Sequence, residues 1–404
     1  MKKESHIILI LFITLAFAAS NFRFLAVKAD ILRWCLIGVM CWYYISHKQF
    51  RRLGNIDLFF SLFIIESFVS ISYSINPGMT FQRSLLLLAM YLVVFFEIRR
   101  FVSFEKGLME FFNILRRYSK IIVLLTICSA LVLGAVFGSG HRFYGIFENP
   151  NTLGAFSVIA MPTLFAGFIE SKKHKKKNLL FFIATLVILI LSDSRSGIFC
   201  AFLATGFYIC TVIKNKTVYI IGALVLFFIL FVASQFIGEK TFSRDIENKL
   251  RVNSINTAGG RTEAWGVAKK CIKARPWLGH GYGTEDSLFL FYDIAFEEHA
   301  GVYIHNSYLG VLATNGIVGF LLILRVLGSI ISSCAFLYKN RNKLGPTKSA
   351  TMLSVSIVIG LLVHAFVESW MFSVGSLISI IFWSLAVVVL VLADFSKRGR
   401  PLYG

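Results

Sequence analysis

His305 stands where a long polar segment gives way to an apolar run, in the stretch AGVYIHNSYLGVLATNGIVG at positions 300–319. Asn306 and Ser307, which follow it, are strong helix N-cap types, so the histidine falls at the head of a long helix. A neutral imidazole there has the form that a general base needs, although a lone histidine at such a boundary can equally be structural. Two more polar groups belong beside it. Ser192-Asp193-Ser194-Arg195-Ser196-Gly197 makes a tight turn between two apolar runs, with almost no loop to carry Arg195 into water. An arginine so placed marks a site, pairs with an acid such as Asp193, or snorkels. Gly259-Gly260-Arg261 puts an arginine behind two glycines that let the backbone approach a ligand closely; an exposed loop arginine is the plainer reading. Taken together, two guanidiniums can clamp a diphosphate bidentately while a base removes a hydroxyl proton. That is the chemistry of group transfer from a diphosphate leaving group, with no metal or other cofactor called for. The paired acidic motif of a Mg²⁺-dependent diphosphate enzyme is not seen. Arg142 and Asn306 are secondary candidates. So are His364 and Glu368, which are four residues apart at the end of an apolar run, and Glu66 lies within another run. Ionisable groups inside a membrane are either functional or internally paired.

The elements that must hold these residues are apolar helices. The chain has 404 residues, 57% of them hydrophobic and 15% charged, with a mean hydropathy of +0.74. Apolar runs of about 18 or more residues with few charges read as transmembrane helices, so this is an integral membrane protein. Twelve apolar runs are expected: 7–20, 29–46, 57–74, 84–96, 121–137, 152–169, 179–191, 197–213, 218–236, 307–338, 350–367 and 374–392. The fold class is therefore all-α and polytopic. It divides into helices over 1–236, a large loop at 237–304, and helices with a tail over 305–404.

The net charge of +20 does not point to nucleic acid, because the basic residues fall in short loops and not on one soluble face. Sorted by alternate loops, about 25 of the 41 Lys and Arg fall in the set that includes both termini and the KKHKKK run at 172–177. The positive-inside rule then makes both termini cytoplasmic and KKHKKK a solvated anchor. Lys2, Lys3 and the apolar stretch after them mimic a signal peptide, but a retained first helix is expected. Six of the seven cysteines lie in apolar runs without metal-ligand spacing, as small core filler.

The long loop carries Trp265, Trp277, Tyr282, Phe289, Phe291 and Tyr292, which argues for order. Within it, 262–275 lines up Ala264, Trp265, Ala268, Cys271 and Ile272 on one side, and Pro276 stops the pattern. The spacing predicts an amphipathic helix that lies on the outer leaflet or caps the bundle.

The ordered set FYGIFENPNTLGAF, SDSRSG, GGRTEAW, ARPWLGHGYG and HNSYLGVLATNGIVG resembles the O-antigen ligase/polymerase superfamily of bacterial membrane enzymes. The motifs run from Arg142 to Gly319, and none of the three principal site positions departs from the pattern. The resemblance implies about twelve helices in a GT-C-like arrangement, in the inner membrane, with the active site on the extracytoplasmic face. It also implies metal-independent, inverting transfer of a glycan from undecaprenyl diphosphate to a sugar hydroxyl. In that reading Arg195 and Arg261 bind the diphosphate and His305 is the base. The motifs do not separate ligation to lipid A-core from chain polymerisation. A transporter or flippase is the rival reading, which Glu66 and the His364/Glu368 pair could serve. It calls for pseudo-symmetric halves, and the single large loop has no counterpart in the first half.

Overall fold

The computed structural model describes residue 38 and residues 55–103, 107–133, 142–213, 261–293, 303–373 and 375–398. Among these residues the secondary structure is helical and no strand occurs. Helix α1 (Asn55–Val69) continues into a 3₁₀ turn (Ser70–Tyr73), and α2 (Pro77–Met90) runs on through a π-helical stretch (Tyr91–Ile98) to a last α turn (Arg99–Val102). There follow α3 (Gly107–Leu133), α4 (Pro150–Glu170), α5 (Lys175–Leu191) and α6 (Arg195–Val212). The remaining helices are α7 (Arg261–Ala274), α8 (Glu285–Phe291), α9 (Ser307–Lys339), α10 (Lys348–His364) and α11 (Leu377–Lys397).

Among the described residues, six segments are long and apolar enough to cross a membrane: Ile56–Tyr73, Pro150–Glu170, Arg195–Val212, Ser307–Lys339, Gly345–His364 and Leu377–Lys397. The expected runs at 84–96, 121–137 and 179–191 are helical as far as they are described. The runs at 7–20, 29–46 (apart from residue 38) and 218–236 lie outside the described residues, as do 237–260 and 294–302 of the long loop.

Helix α11 is apolar all round and buried along nearly its whole length, as expected of a helix surrounded by others. Trp383 anchors it, with the rings of Phe60, Phe95, Phe372 and Phe382 at centroid distances of 5.1, 6.0, 5.9 and 5.1 Å. Helix α4 packs against α5, α6 and α10. It meets α6 through Gly154 and Gly197, where a Cβ on either glycine would collide with the other segment. Small residues allow this backbone approach in a bundle, and it seats the 192–197 turn against the start of α4.

The run at 307–338 forms α9, as its periodicity predicts, but the helix is broken at Gly316, whose φ and ψ are 62° and −167°. A break inside a helical bundle leaves backbone groups that neither lipid nor apolar side chains can satisfy. Segment 276–281 satisfies them. Ile317 N donates to Pro276 O (2.8 Å) and Val318 N to Trp277 O (3.2 Å), while Thr314 O accepts from His280 N (2.9 Å) and Gly281 N (2.8 Å). The His280 side chain adds a fifth tie, from Nδ1 to Ala313 O at 2.8 Å. A carbonyl only accepts, so Nδ1 carries the proton and Nε2 accepts from the Tyr292 hydroxyl at 2.7 Å. Burial holds His280 below the usual imidazole range. The glycines of ARPWLGHGYG are thus needed for close approach: Gly279, at φ +69°, lies against the backbone of Thr314 and Gly316.

Helix α7 matches the predicted amphipathic helix to within a residue at each end. Its buried residues, Ala264, Val267, Ala268 and Cys271, recur at helical spacing and pack with Ala313 of α9, so the helix caps the bundle. Helix α10 stops at His364, three residues short of the expected run. Its end turns sharply because Ala365 O is taken by Ser307 N (2.9 Å) from the start of α9.

Gly316→Ala should destabilise the protein by about 1–3 kcal/mol from backbone strain alone, since this φ,ψ region is essentially restricted to glycine. The added Cβ would also strike Trp277 O. Thermal unfolding in detergent checks this, and an unchanged midpoint would mean that the break is not a built feature.

Candidate active site

Segment 305–307 is tied to the loop that follows α10. Asn306 caps α9 as its type predicts, accepting from Tyr308 N and Leu309 N at 3.0 Å each. Its own N–H donates to Ser369 Oγ at 3.1 Å. Ser307 Oγ donates to Glu368 O (2.7 Å) and accepts from Trp370 N and Met371 N (3.2 Å each). Between these clamps His305 is held at φ 53°, a left-handed conformation that a histidine rarely adopts. Backbone strain of this kind persists only where the surroundings over-determine it, and it concentrates at functional sites.

The imidazole so presented meets Glu368, with Nδ1 3.0 Å from Oε2. The other carboxylate oxygen, Oε1, accepts from Arg261 NH2 at 2.6 Å. One carboxylate thus joins the base candidate to a guanidinium from α7. Burial opposes ionisation of Glu368, but the hydrogen bond from His305 and the charge of Arg261 outweigh it and hold the carboxyl below the usual carboxylate range. An ionised Glu368 accepts from Nδ1–H, which leaves the imidazole lone pair on Nε2. This arrangement of base and orienting carboxylate equips an imidazole to take a proton from a hydroxyl.

Glu285, at the start of α8, responds to the same surroundings in the opposite sense. It packs against Gly310, where a Cβ would come within 2.7 Å of its Oε2, and its Oε1 accepts from Ile304 N at 2.7 Å. No guanidinium pairs with it among the described residues. Burial therefore dominates over its bonds to Ser369 and Ile304, and pushes its carboxyl up to about 7.

A cavity of ≈ 790 Å³ opens beside these groups. Its walls include His305, His364 and Glu368, together with Glu285, Arg83, Arg142 and residues 148–152. Three helices present their N-terminal ends to it: α4 through Asn149 to Thr152, α9 through His305 and Ser307, and α11 through Ser376 and Ile378. Helix N-termini carry partial positive charge and favour anions. Deeper in, Thr314 and Asn315 line the cavity at the break in α9, and Asn315 Nδ2 donates to Glu66 Oε2 at 2.8 Å. Glu66 also accepts from the Tyr73 hydroxyl at 3.3 Å, so this acid is internally paired.

The structure therefore brings His305, Glu368 and Arg261 into one contact chain and places Arg142, Asn306 and His364 around it. Arg195 and Arg261 are not among the cavity-lining residues. Arg195 is exposed as the first residue of α6, and its turn is held to the cavity wall through Arg142. Arg142 donates to Ser192 O (3.1 Å), Asp193 O (3.2 Å) and Asn151 Oδ1 (3.0 Å). Arg261 keeps its Nε buried, with no hydrogen-bond partner among the described residues. Sequence reasoning passed over Arg83 and Glu285. Arg83 pairs with both carboxylate oxygens of Asp286 (2.6 and 3.2 Å) and donates to Gly283 O. Its signal was available, since it is one of few basic residues in the less basic set of short loops. Glu285 had no such signal, because its position against Gly310 exists only in three dimensions.

Residues 180–324 match the family model described as O-antigen ligase. An O-antigen ligase of Pseudomonas aeruginosa is 32% identical over 104 residues, 26% of this chain. The chain matches 24% of that relative's length, about a quarter. A chain from a solved peptidoglycan synthase complex superposes at a TM-score of 0.47 and 14% identity, over 86% of this chain and 98% of that one. With its apolar helices, the family match makes this a multi-pass membrane protein.

Glu285→Gln should gain stability relative to the parent as pH rises. The folded carboxyl titrates near 7 against its ordinary 4.5, so its ionisation opposes folding increasingly across that window. Thermal unfolding at about pH 5 and about pH 8 tests the sign; a difference between variant and parent that stays constant with pH rejects it.

Proposed function

We propose that the chain, whose residues 180–324 match the O-antigen ligase family model, is a membrane glycosyltransferase that moves a glycan from undecaprenyl diphosphate to a sugar hydroxyl. The observation that carries this reading is the contact chain His305–Glu368–Arg261 at a cavity faced by three helix N-termini. His305 takes the proton of the acceptor hydroxyl on Nε2 as the oxygen forms its bond to the anomeric carbon. The bond from that carbon to the phosphate oxygen breaks on the opposite side, and undecaprenyl diphosphate leaves with the electron pair. A single displacement inverts the anomeric centre.

Glu368 holds the imidazole in the competent tautomer and stabilises the imidazolium that forms. Arg195 and Arg261 take the diphosphate, as the resemblance implies. Helix N-terminal ends add to the field that receives the leaving group. The distribution of Lys and Arg supports cytoplasmic termini and an active site on the extracytoplasmic face of the inner membrane. The acceptor is either lipid A-core or a second lipid-linked glycan. Purified protein given labelled donor with each in turn distinguishes a ligase from a polymerase.

His305→Ala should lower transfer about 10²–10⁴-fold, the usual worth of a general base, without loss of expression. Glu368→Gln should lower kcat by about 10–100-fold, as removal of an orienting partner does, with the donor KM little changed. Arg195→Ala and Arg261→Ala should weaken donor use instead. Normal polymer in cells that carry only the His305 variant would sink the assignment of the base.

A further inference from the structure

Beneath the base, His364 and Trp370 make a second polar feature of the same cavity that the transfer step leaves unused. Trp370 Nε1 donates to His364 Nδ1 at 3.0 Å. An indole nitrogen can only donate, so Nδ1 is an acceptor and the His364 proton sits on Nε2. The histidine is fully buried, and its Nε2 has no hydrogen-bond partner among the described residues. Both side chains line the cavity. A buried donor left unpaired is costly, which makes this N–H a natural receptor for an oxygen brought in by a ligand.

The surroundings select the kind of oxygen. His364 offers a single neutral N–H close to the carboxylate of Glu368, which favours an uncharged oxygen over a phosphate at this one position of the cavity. Trp370 and Phe372 supply apolar wall that suits the C–H face of a sugar ring. Resting on the glycosyl-transfer reading above, we propose that His364 and Trp370 form the subsite for an uncharged sugar ring of the acceptor, with Nε2–H of His364 donating to a ring or hydroxyl oxygen. A site that hydrogen-bonds one substrate oxygen rejects analogues that lack it, so the pair sets acceptor specificity.

The test uses the full chain purified in detergent, labelled undecaprenyl-diphosphate glycan, and two acceptor probes: lipid A-core oligosaccharide and the oligosaccharide released from the donor. In the transfer assay His364→Leu should raise the acceptor KM about tenfold, the worth of one hydrogen bond, and leave the donor KM unchanged. His364→Gln keeps an N–H donor and should remain near the wild type. An unchanged acceptor KM in the Leu variant, or a rise confined to the donor KM, overturns the subsite. A second readout needs no turnover. In protein labelled with ¹⁵N-histidine, the His364 Nε2 resonance, identified by its loss in the Gln variant, should shift on titration with one of the two oligosaccharides. No shift with either overturns the proposal even if the Leu variant fails to fold. Absence of transfer by the wild type, with the shift present, would instead remove the catalytic reading and leave the sugar subsite standing.

Discussion

The break of α9 at Gly316 is the constraint on which the rest of the site depends. A helix interrupted inside a bundle must hand its orphaned N–H and C=O groups to another polar backbone, because neither lipid nor apolar side chains can take them. Here the partner is the segment Pro276–Gly281, which gives and receives four backbone hydrogen bonds across the break. That exchange fixes the polar segment 261–293 to a membrane helix. It also carries α7 and α8 with it, and so decides where Arg261 and Glu285 stand relative to His305.

Around this frame two carboxylates are pushed in opposite directions. Both are desolvated, which by itself raises a carboxyl's pKa. Glu368 meets Arg261 on one oxygen and His305 on the other, and these outweigh desolvation. Glu285 has hydrogen bonds but no paired cation among the described residues, and desolvation prevails. Neighbouring acids with separated titration ranges are what an active site needs to keep one group ionised beside a base. The two arginines that line the cavity, Arg83 and Arg142, are fastened to Asp286 and to the 192–193 carbonyls respectively, so they shape its walls and hold the turn that carries Arg195.

Much of the fold was legible because membrane helices are written in composition. Runs of apolar residues gave α1, α4, α6, α9, α10 and α11, and the N-cap types at Asn306 and the stop at Pro276 placed two boundaries to within a residue. The break in α9 was not legible. TNGIVG reads as continuous helix, and a glycine within such a run is tolerated as often as it kinks. What breaks this one is a competing set of hydrogen bonds from residues 33 to 41 positions earlier. In the same way the four-residue spacing of His364 and Glu368 suggested one helical face. The helix ends at His364 because α9 captures Ala365 O, and the two side chains go to different partners.

The sequence by itself determined that the chain is a helical membrane protein, that His305 heads a long helix, and that arginines are set at the ends of other helices. These follow from local periodicity, capping chemistry and charge, which act between near neighbours. Only the tertiary structure decided that Glu368 meets both His305 and Arg261, that Glu285 lines the same cavity as His305 and Glu368, and that His364 keeps a buried Nε2 without a partner among the described residues. Those relations join segments from 19 to 107 residues apart, and they arise from which buried polar groups find partners when the helices close, a condition that no local pattern encodes.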